Sequence, residues 1–196
     1  MTTRPAVLFR ASTLLMVVMI CTASTQGKVE SPRLIDLIKY SDCIAEGRVI
    51  KISVVRDVRI AELEVARIHK GSLSIKRVHI WASSTWACDI SNAEPNESGL
   101  YFLTLWERKA SNREQPEFAQ ELDDVLKGEK LYAITWSGYG RLVHQGDGRL
   151  RASDYVTFPR TVSVRYVRTG PYSSVALADA RDIVWLIHTS RLRKGG

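Results

Sequence analysis

From residue 42 to 106 the apolar positions recur with the alternation of half-buried β-strands, and the runs are broken at Gly47, Lys70-Gly71 and Gly99. A first strand reaches to about Val55, with Ile50, Ile52 and Val54 on one face and Lys51 and Ser53 on the other. Arg56-Asp57 supplies a turn. A second strand over about 58–68 sets Ala61, Leu63 and Val65 inward against Glu62 and Glu64 outward, and Lys70-Gly71 turns the chain again. In a third, Val78, Ile80 and Ala82 alternate with His79, Trp81 and Ser83. A loop of small and polar residues leads to a compact, mostly apolar fourth strand, Leu100 to Trp106.

The flanks carry other patterns. Ser31-Pro32 opens a short helix in which Leu34, Leu37 and Ile38 recur at helical spacing, with the serine as N-cap. Residues 108–130 are charged and glutamine-rich, an exposed insertion holding one helical segment, Pro116 to Leu126, with Phe118, Leu122 and Val125 on one face. Three β segments follow: Leu131 to Trp136, Gly140 to His144 and Leu150 to Phe158. The last two form a hairpin around Gln145-Gly-Asp-Gly. Arg160 to Pro171 has no assignment. A last helix is expected from Ser174 to about Ser190, with Ala176, Ala180, Ile183, Val184 and Ile187 as its apolar stripe. These elements predict a mainly β fold, a small sheet closed on itself with a helix at each end, in one domain over residues 31–190.

The N-terminus adds an address. Arg4 and Arg10 precede an apolar run of about ten residues ending at Ile20, and small residues follow at Thr22, Ala23 and Ser24. That is the pattern of a secretory signal peptide over residues 1–24. The run is half the length a membrane span needs, about twenty residues, so no stable span is expected. Ile20 is large where a lipid-attachment signal needs a small residue before the cysteine, so Cys21 is assigned to the discarded peptide and not to a lipid anchor. The expected location is secreted or periplasmic.

Export changes the meaning of the cysteines. Without Cys21, Cys43 and Cys88 remain, and two cysteines in an exported chain most simply form one disulfide, worth about 4 kcal/mol for a loop of this length. The rival is a catalytic thiol, for which no histidine is placed by sequence. The net charge of +7 is scattered, without a run of five like charges, and points to solubility and not to a nucleic-acid track.

Candidate chemistry is sparse. His69, His79, His144 and His188 show no ligand spacing, although His69 and His79 fall on either side of the Lys70-Gly71 turn and are able to face each other. Gly138-Tyr-Gly and Gly146-Asp-Gly fit neither a phosphate loop nor a dinucleotide fingerprint. Asp147 alone is far short of a calcium cage. Glu121, Asp123 and Asp124 lie in the charged insertion, a poor place to raise a carboxyl pKa. Ser83 and Ser84 have no base beside them in sequence, and no nucleophile elbow occurs. No catalytic residue, metal or cofactor is assigned. The aromatics Trp81, Trp86 and Tyr139 remain as a possible binding platform, set against the alternative that they fill the core.

Gly47-x-Val49, the V-x-x-I-x-K-G of Val65 to Gly71, Cys88, the G-x-Y-x-x-x-L of Gly99 to Leu105 and the W-S-G-Y-G-R-L-V-H-Q-G-D-G-R-L of Trp136 to Leu150 together resemble the bacterial exported proteins of the tissue-inhibitor-of-metalloproteinases-like (netrin-like) superfamily. The resemblance covers most of residues 31–190. It implies an OB-type five-stranded Greek-key barrel with flanking helices. The animal inhibitors act through an N-terminal cysteine in a C-x-C start. Here the first mature cysteine is Cys43, behind a helix, so no inhibitory residue transfers. The expected function is a non-catalytic exported domain that binds a protein or an envelope or surface polymer, with a protease-inhibitor-like module acting through barrel loops as the alternative.

Overall fold

The computed structural model describes residues 31–73, 76–84, 90–106, 116–171 and 173–192. The segment expected as a signal peptide lies outside them, as do Cys88 and Trp86. No helix among the described residues is long and apolar enough to cross a membrane.

Five strands close a barrel. They are β1 (Cys43–Val55), β2 (Val58–Lys70), β3 (Arg77–Trp81), β4 (Ser98–Leu105) and β5 (Leu131–Ile134), hydrogen-bonded in the order β1-β2-β3-β5-β4 with β4 returning to β1. The β3–β5 pair is parallel and the other pairs are antiparallel. This is the OB-type Greek-key closure. Ala61, Leu63, Val78 and Ile80 fill the interior, as their alternation predicts.

The first strand departs from its predicted alternation at one residue, Ile50. Ile50 is skipped in the register, since Val49 pairs with Leu63 and Lys51 with Glu62. One extra residue exchanges the two faces beyond it. Ile52, opposite Ala61, therefore shares the barrel face with Val49, opposite Leu63, and Val54, on that face near the end of the strand, is 65% exposed.

A second sheet grows from the barrel. The strands β6 (Arg141–Gln145), β7 (Arg149–Ser153), β9 (Ser174–Asp179) and β8 (Val164–Arg168) continue from β4 in that order, and β6 and β7 form the expected hairpin. The chain passes from barrel to sheet at Phe102. Its N–H donates to the Gly140 carbonyl (2.8 Å) and its own carbonyl accepts from the Thr135 N–H (2.9 Å), so β5 and β6 lie end to end along one edge of β4. The turn between them passes through Trp136, Ser137 and Gly138, all at positive φ. A Cβ on Gly138 would lie 2.3 Å from the Ile90 carbonyl carbon, so only glycine fits there. β4 is thus buried on both sides: Tyr101 and Leu103 enter the barrel, while Leu100 and Phe102 enter a second core.

That second core is covered by two helices, α1 (Leu34–Tyr40) and the C-terminal helix α3 (Ala180–Leu192), through Leu34, Leu37, Ile183 and Ile187. Ser31 is not the N-cap of α1. Arg33 holds that position without a side-chain cap, and the first helical N–H, of Leu34, donates to the Thr157 carbonyl at 2.9 Å. At the other end the Lys70 ammonium donates to the carbonyls of Ile38 (2.7 Å), Lys39 (3.1 Å) and Ser41, satisfying a helix end that has no internal partners. Gly71 follows at φ +76, where a Cβ would meet the Asp42 carbonyl oxygen at 2.3 Å. The Lys-Gly pair of the sequence motif is a helix clamp.

Two further expectations are corrected. Ser174 to Asp179 is not helical. It is strand β9, because pairing with both β7 and β8 and burial of Ala176 and Ala178 outweigh the helical preference of alanine. The helix starts only at Ala180, where Asp179 accepts from the N–H groups of Arg181 (2.8 Å) and Asp182 (3.4 Å). The helical part of the charged insertion, α2 (Pro116–Leu126), is not an exposed appendage. Leu122 and Leu126 are buried with Ile60 and Leu131, and Arg56 in the β1–β2 turn pairs with Glu117 (2.8 Å) and Glu121 (3.3 Å).

Because Phe102 is fully buried where the two cores meet, Phe102→Ala should cost about 4 kcal/mol of unfolding free energy in a urea titration. Val54→Ala, at an exposed position near the end of β1, should change it by less than about 0.5 kcal/mol. Equal effects at the two positions would contradict this packing.

Candidate functional site

The aromatics predicted as a platform are separated. Trp81 stacks on Trp106 with ring centroids 5.6 Å apart, and both pack against the cluster beneath α2. OB-type barrels commonly present ligands to the β2–β3 face and the adjacent β1–β2 and β4–β5 loops. In this chain that ground is occupied by α2, part of the β4–β5 connection itself. Tyr139 lies in the second core, 6% exposed, with its ring edge-on to Tyr155 at 6.3 Å. Trp86 lies outside the described residues.

The expected Cys43–Cys88 bridge is not found. Cys43 carries a free, buried thiol, and Cys88 lies outside the described residues. Burial, reinforced by the negative charge of Asp42, pushes the Cys43 thiol up to about 11, so it stays protonated at neutral pH.

The histidines, which show no spacing in sequence, converge in space. Glu46 on β1 reaches out between two imidazoles: Oε2 lies 3.2 Å from His69 Nε2 on β2, and Oε1 lies 3.2 Å from His144 Nε2 on β6. His188 on α3 adds a third ring, edge-on to His69 at 5.7 Å. His79 is not part of the group. It sits opposite Glu62 on β2, with Nδ1 3.1 Å from Glu129 Oε2, so the facing of His69 and His79 does not occur.

Local structure explains the convergence. The β1–β2 register shifts on both sides of Ala45-Glu46, which re-aims Glu46. On β6, His144 follows buried Leu142 on the same face, at the rim of the second core. On α3, His188 follows buried Ile187 at the helix boundary between core and solvent.

The electrostatics give His69 a definite form. It is only 1% exposed. Burial lowers its pKa below the ordinary value, against the opposing pull of the Glu46 hydrogen bond and charge, and His188 and Arg67 lower it further. The ring is therefore neutral at pH 7. A carboxylate only accepts, so the proton is on Nε2. That leaves Nδ1 a buried acceptor without a hydrogen-bond partner.

Beside Glu46 and His144 opens a groove of about 420 Å³, lined also by Gly47, Arg48, Glu64 and Lys76. Gly47 lets β1 approach β2 closely at this point, since a Cβ there would sit 2.4 Å from the Glu64 carbonyl oxygen. The groove thus offers a carboxylate fixed by two imidazoles, a guanidinium and an ammonium, suited to hydrogen-bonding a polar ligand carrying both donors and acceptors. Among the described residues no three His, Cys, Asp or Glu side chains are grouped to hold a metal ion.

Sequence reasoning missed this cluster because its members are contributed by four elements far apart in the chain. The available signal was His69, which falls in step with Ala61, Leu63 and Val65 and so occupies a position the alternation marks as buried. No protein-family model matches the chain, and no curated protein matches it.

Two outcomes follow. Below about pH 6.5 the unfolded chain protonates its histidine while buried His69 resists. The stability His69 confers is thus complete above that pH and is lost as the pH falls through it. Urea titrations at pH 7.5 and 5.5 should show this loss, and His69→Gln should reduce it; an unchanged pH slope in the variant would contradict the assignment. For Cys43, iodoacetamide without reductant should modify its peptide only after denaturation. Fast labelling of the folded chain, or recovery of Cys43 linked to Cys88, would overturn the buried free thiol.

Proposed function

We propose that this chain is an exported, non-catalytic binding domain, secreted or periplasmic, that engages a protein or an envelope polymer at the groove beside Glu46 and His144. The observation that carries the proposal is the Glu46 carboxylate held at 3.2 Å by an imidazole on each side, at the rim of a groove that also holds charges of both signs. Such an acceptor is fixed before a ligand arrives, which lowers the ordering cost of binding. The signal-like N-terminus supports export. The OB-type barrel supports kinship with the tissue-inhibitor-of-metalloproteinases-like group, together with the Lys70-Gly71 and Trp136–Gly140 motifs that build it. Inhibition through a cysteine amino terminus gains no support, since Cys43 is buried in the barrel.

The test is co-sedimentation of the purified chain with peptidoglycan sacculi, alongside a binding array of anionic glycans and envelope proteins. A ligand retained by the natural chain should bind about tenfold more weakly to His144→Ala and Lys76→Glu, each checked for an unchanged melting temperature. Binding indifferent to both substitutions, or none to any probe, would defeat the proposal.

A further inference from the structure

The second sheet ends on β8, and its inner edge is fully engaged. The Asp179 N–H donates to the Ser163 carbonyl and the Thr169 N–H to the Ser173 carbonyl, both at 2.9 Å, and five register pairs run without a break between them. Antiparallel bonding alternates along a strand. Positions 165 and 167 therefore bond inward like 163 and 169, and Val164, Tyr166 and Arg168 turn their N–H and C=O groups to the outer edge. Among the described residues no strand pairs with that edge. It contains no proline and no bulge, two of the devices that blunt an edge; its charges are Arg165 and Arg168.

Charge sets what the edge accepts. Elsewhere Arg33, Arg56, Arg59, Arg77, Arg141 and Arg149 each have an acidic oxygen within 3.6 Å. Arg151 on β7 and Arg165 and Arg168 on β8 have no ion pair among the described residues, and all three are exposed. Register places Arg151, Leu177 and Arg165 in one row across the uncovered sheet face. The two guanidinium stems are thus two strands apart, about 10 Å. Arg168 projects on the opposite face, beside Tyr166, which is 58% exposed. A second copy of β8 is a poor occupant, since the two strands would bring four guanidiniums together with no acid between them.

We propose that the free edge of β8 takes up an extended acidic segment of a partner protein as an added strand, recognised by carboxylates three residues apart. One meets Arg165 and the other Arg168, on opposite faces of the added strand. The two residues between them are β-branched or aromatic and pack beside Tyr166 and Val167. Main-chain bonds to Val164, Tyr166 and Arg168 supply affinity, and the two ion pairs fix the register.

The probe is a fluorescein-labelled peptide, Thr-Val-Glu-Val-Thr-Glu-Val-Thr, titrated with the full chain and read by fluorescence anisotropy. A control peptide of the same composition places its two glutamates two residues apart, on one face. The first peptide should bind and the control should bind at least about tenfold more weakly. Arg165→Glu, an exposed change, should cause a similar loss. Tyr166→Pro should abolish binding, because it deletes an outward N–H and no bond to β9, whereas His144→Ala in the groove should leave it unchanged. Equal binding of both peptides, binding insensitive to Arg165→Glu, or displacement of the peptide by heparin that also binds Tyr166→Pro equally well would overturn the proposal.

Discussion

The structure depends on one strand being buried on both faces. β4 contributes Tyr101 and Leu103 to the barrel and Leu100 and Phe102 to the core under α1 and α3, and all four are essentially inaccessible to water. A strand so placed has no solvent side on which to relax, so the barrel and the second sheet share its conformation and register. Phe102 fixes the exchange of neighbours along its edge, from β6 to β5, by gripping both ends of the 135–140 turn. The left-handed backbone at Trp136 and Ser137 is unfavourable for residues with side chains, by about 1–2 kcal/mol each. It persists because these bonds and the packing around them determine it.

Polar groups near this junction are met by specific partners. The Glu97 carboxyl is held well within the structure, where burial raises its pKa in spite of Arg141 beside it. It accepts from the Tyr101 hydroxyl at 3.0 Å and lies 3.1 Å from Arg141 Nη1. Ser41, Thr104 and Thr135 join their hydroxyls at 2.9 Å between α1, β4 and the start of the turn. His69 stands apart from this pattern. Its Nδ1 is buried without a partner, a cost of about 1–3 kcal/mol that folding alone gives no reason to bear. That cost falls beside the groove proposed for ligand binding, and local conflict with folding rules is a feature of functional sites.

Much of the fold was legible in the residues. Strict alternation marked β2 and β3, and the unbroken apolar run of β4 matched burial on both faces. Gly146-Asp-Gly marked the β6–β7 hairpin. What failed did so for identifiable reasons. The bulge at Ile50 leaves no compositional trace, so Ile50 was placed in step with Ile52 and Val54 when it is the extra residue. Ser174 to Asp179 is alanine-rich and became a strand only through pairing with β7 and β8. The apolar stripe of α2 was visible at Phe118, Leu122 and Val125, but the charges around it concealed that Ile60 and Leu131 would receive it. The Glu46–His69–His144–His188 cluster was out of reach, because barrel closure and the docking of α3, not sequence spacing, bring those side chains together.

The central claim is that the barrel and the second sheet are one cooperative unit joined through β4, and native-state hydrogen exchange across the chain addresses it most directly. The account predicts that the slowest amides of β4, of barrel strand β2 and of sheet strands β7 and β9 open with a single free energy, equal to that of global unfolding. Opening of β7 and β9 at a clearly lower free energy, with β2 and β4 still protected, would show two separable parts and contradict it.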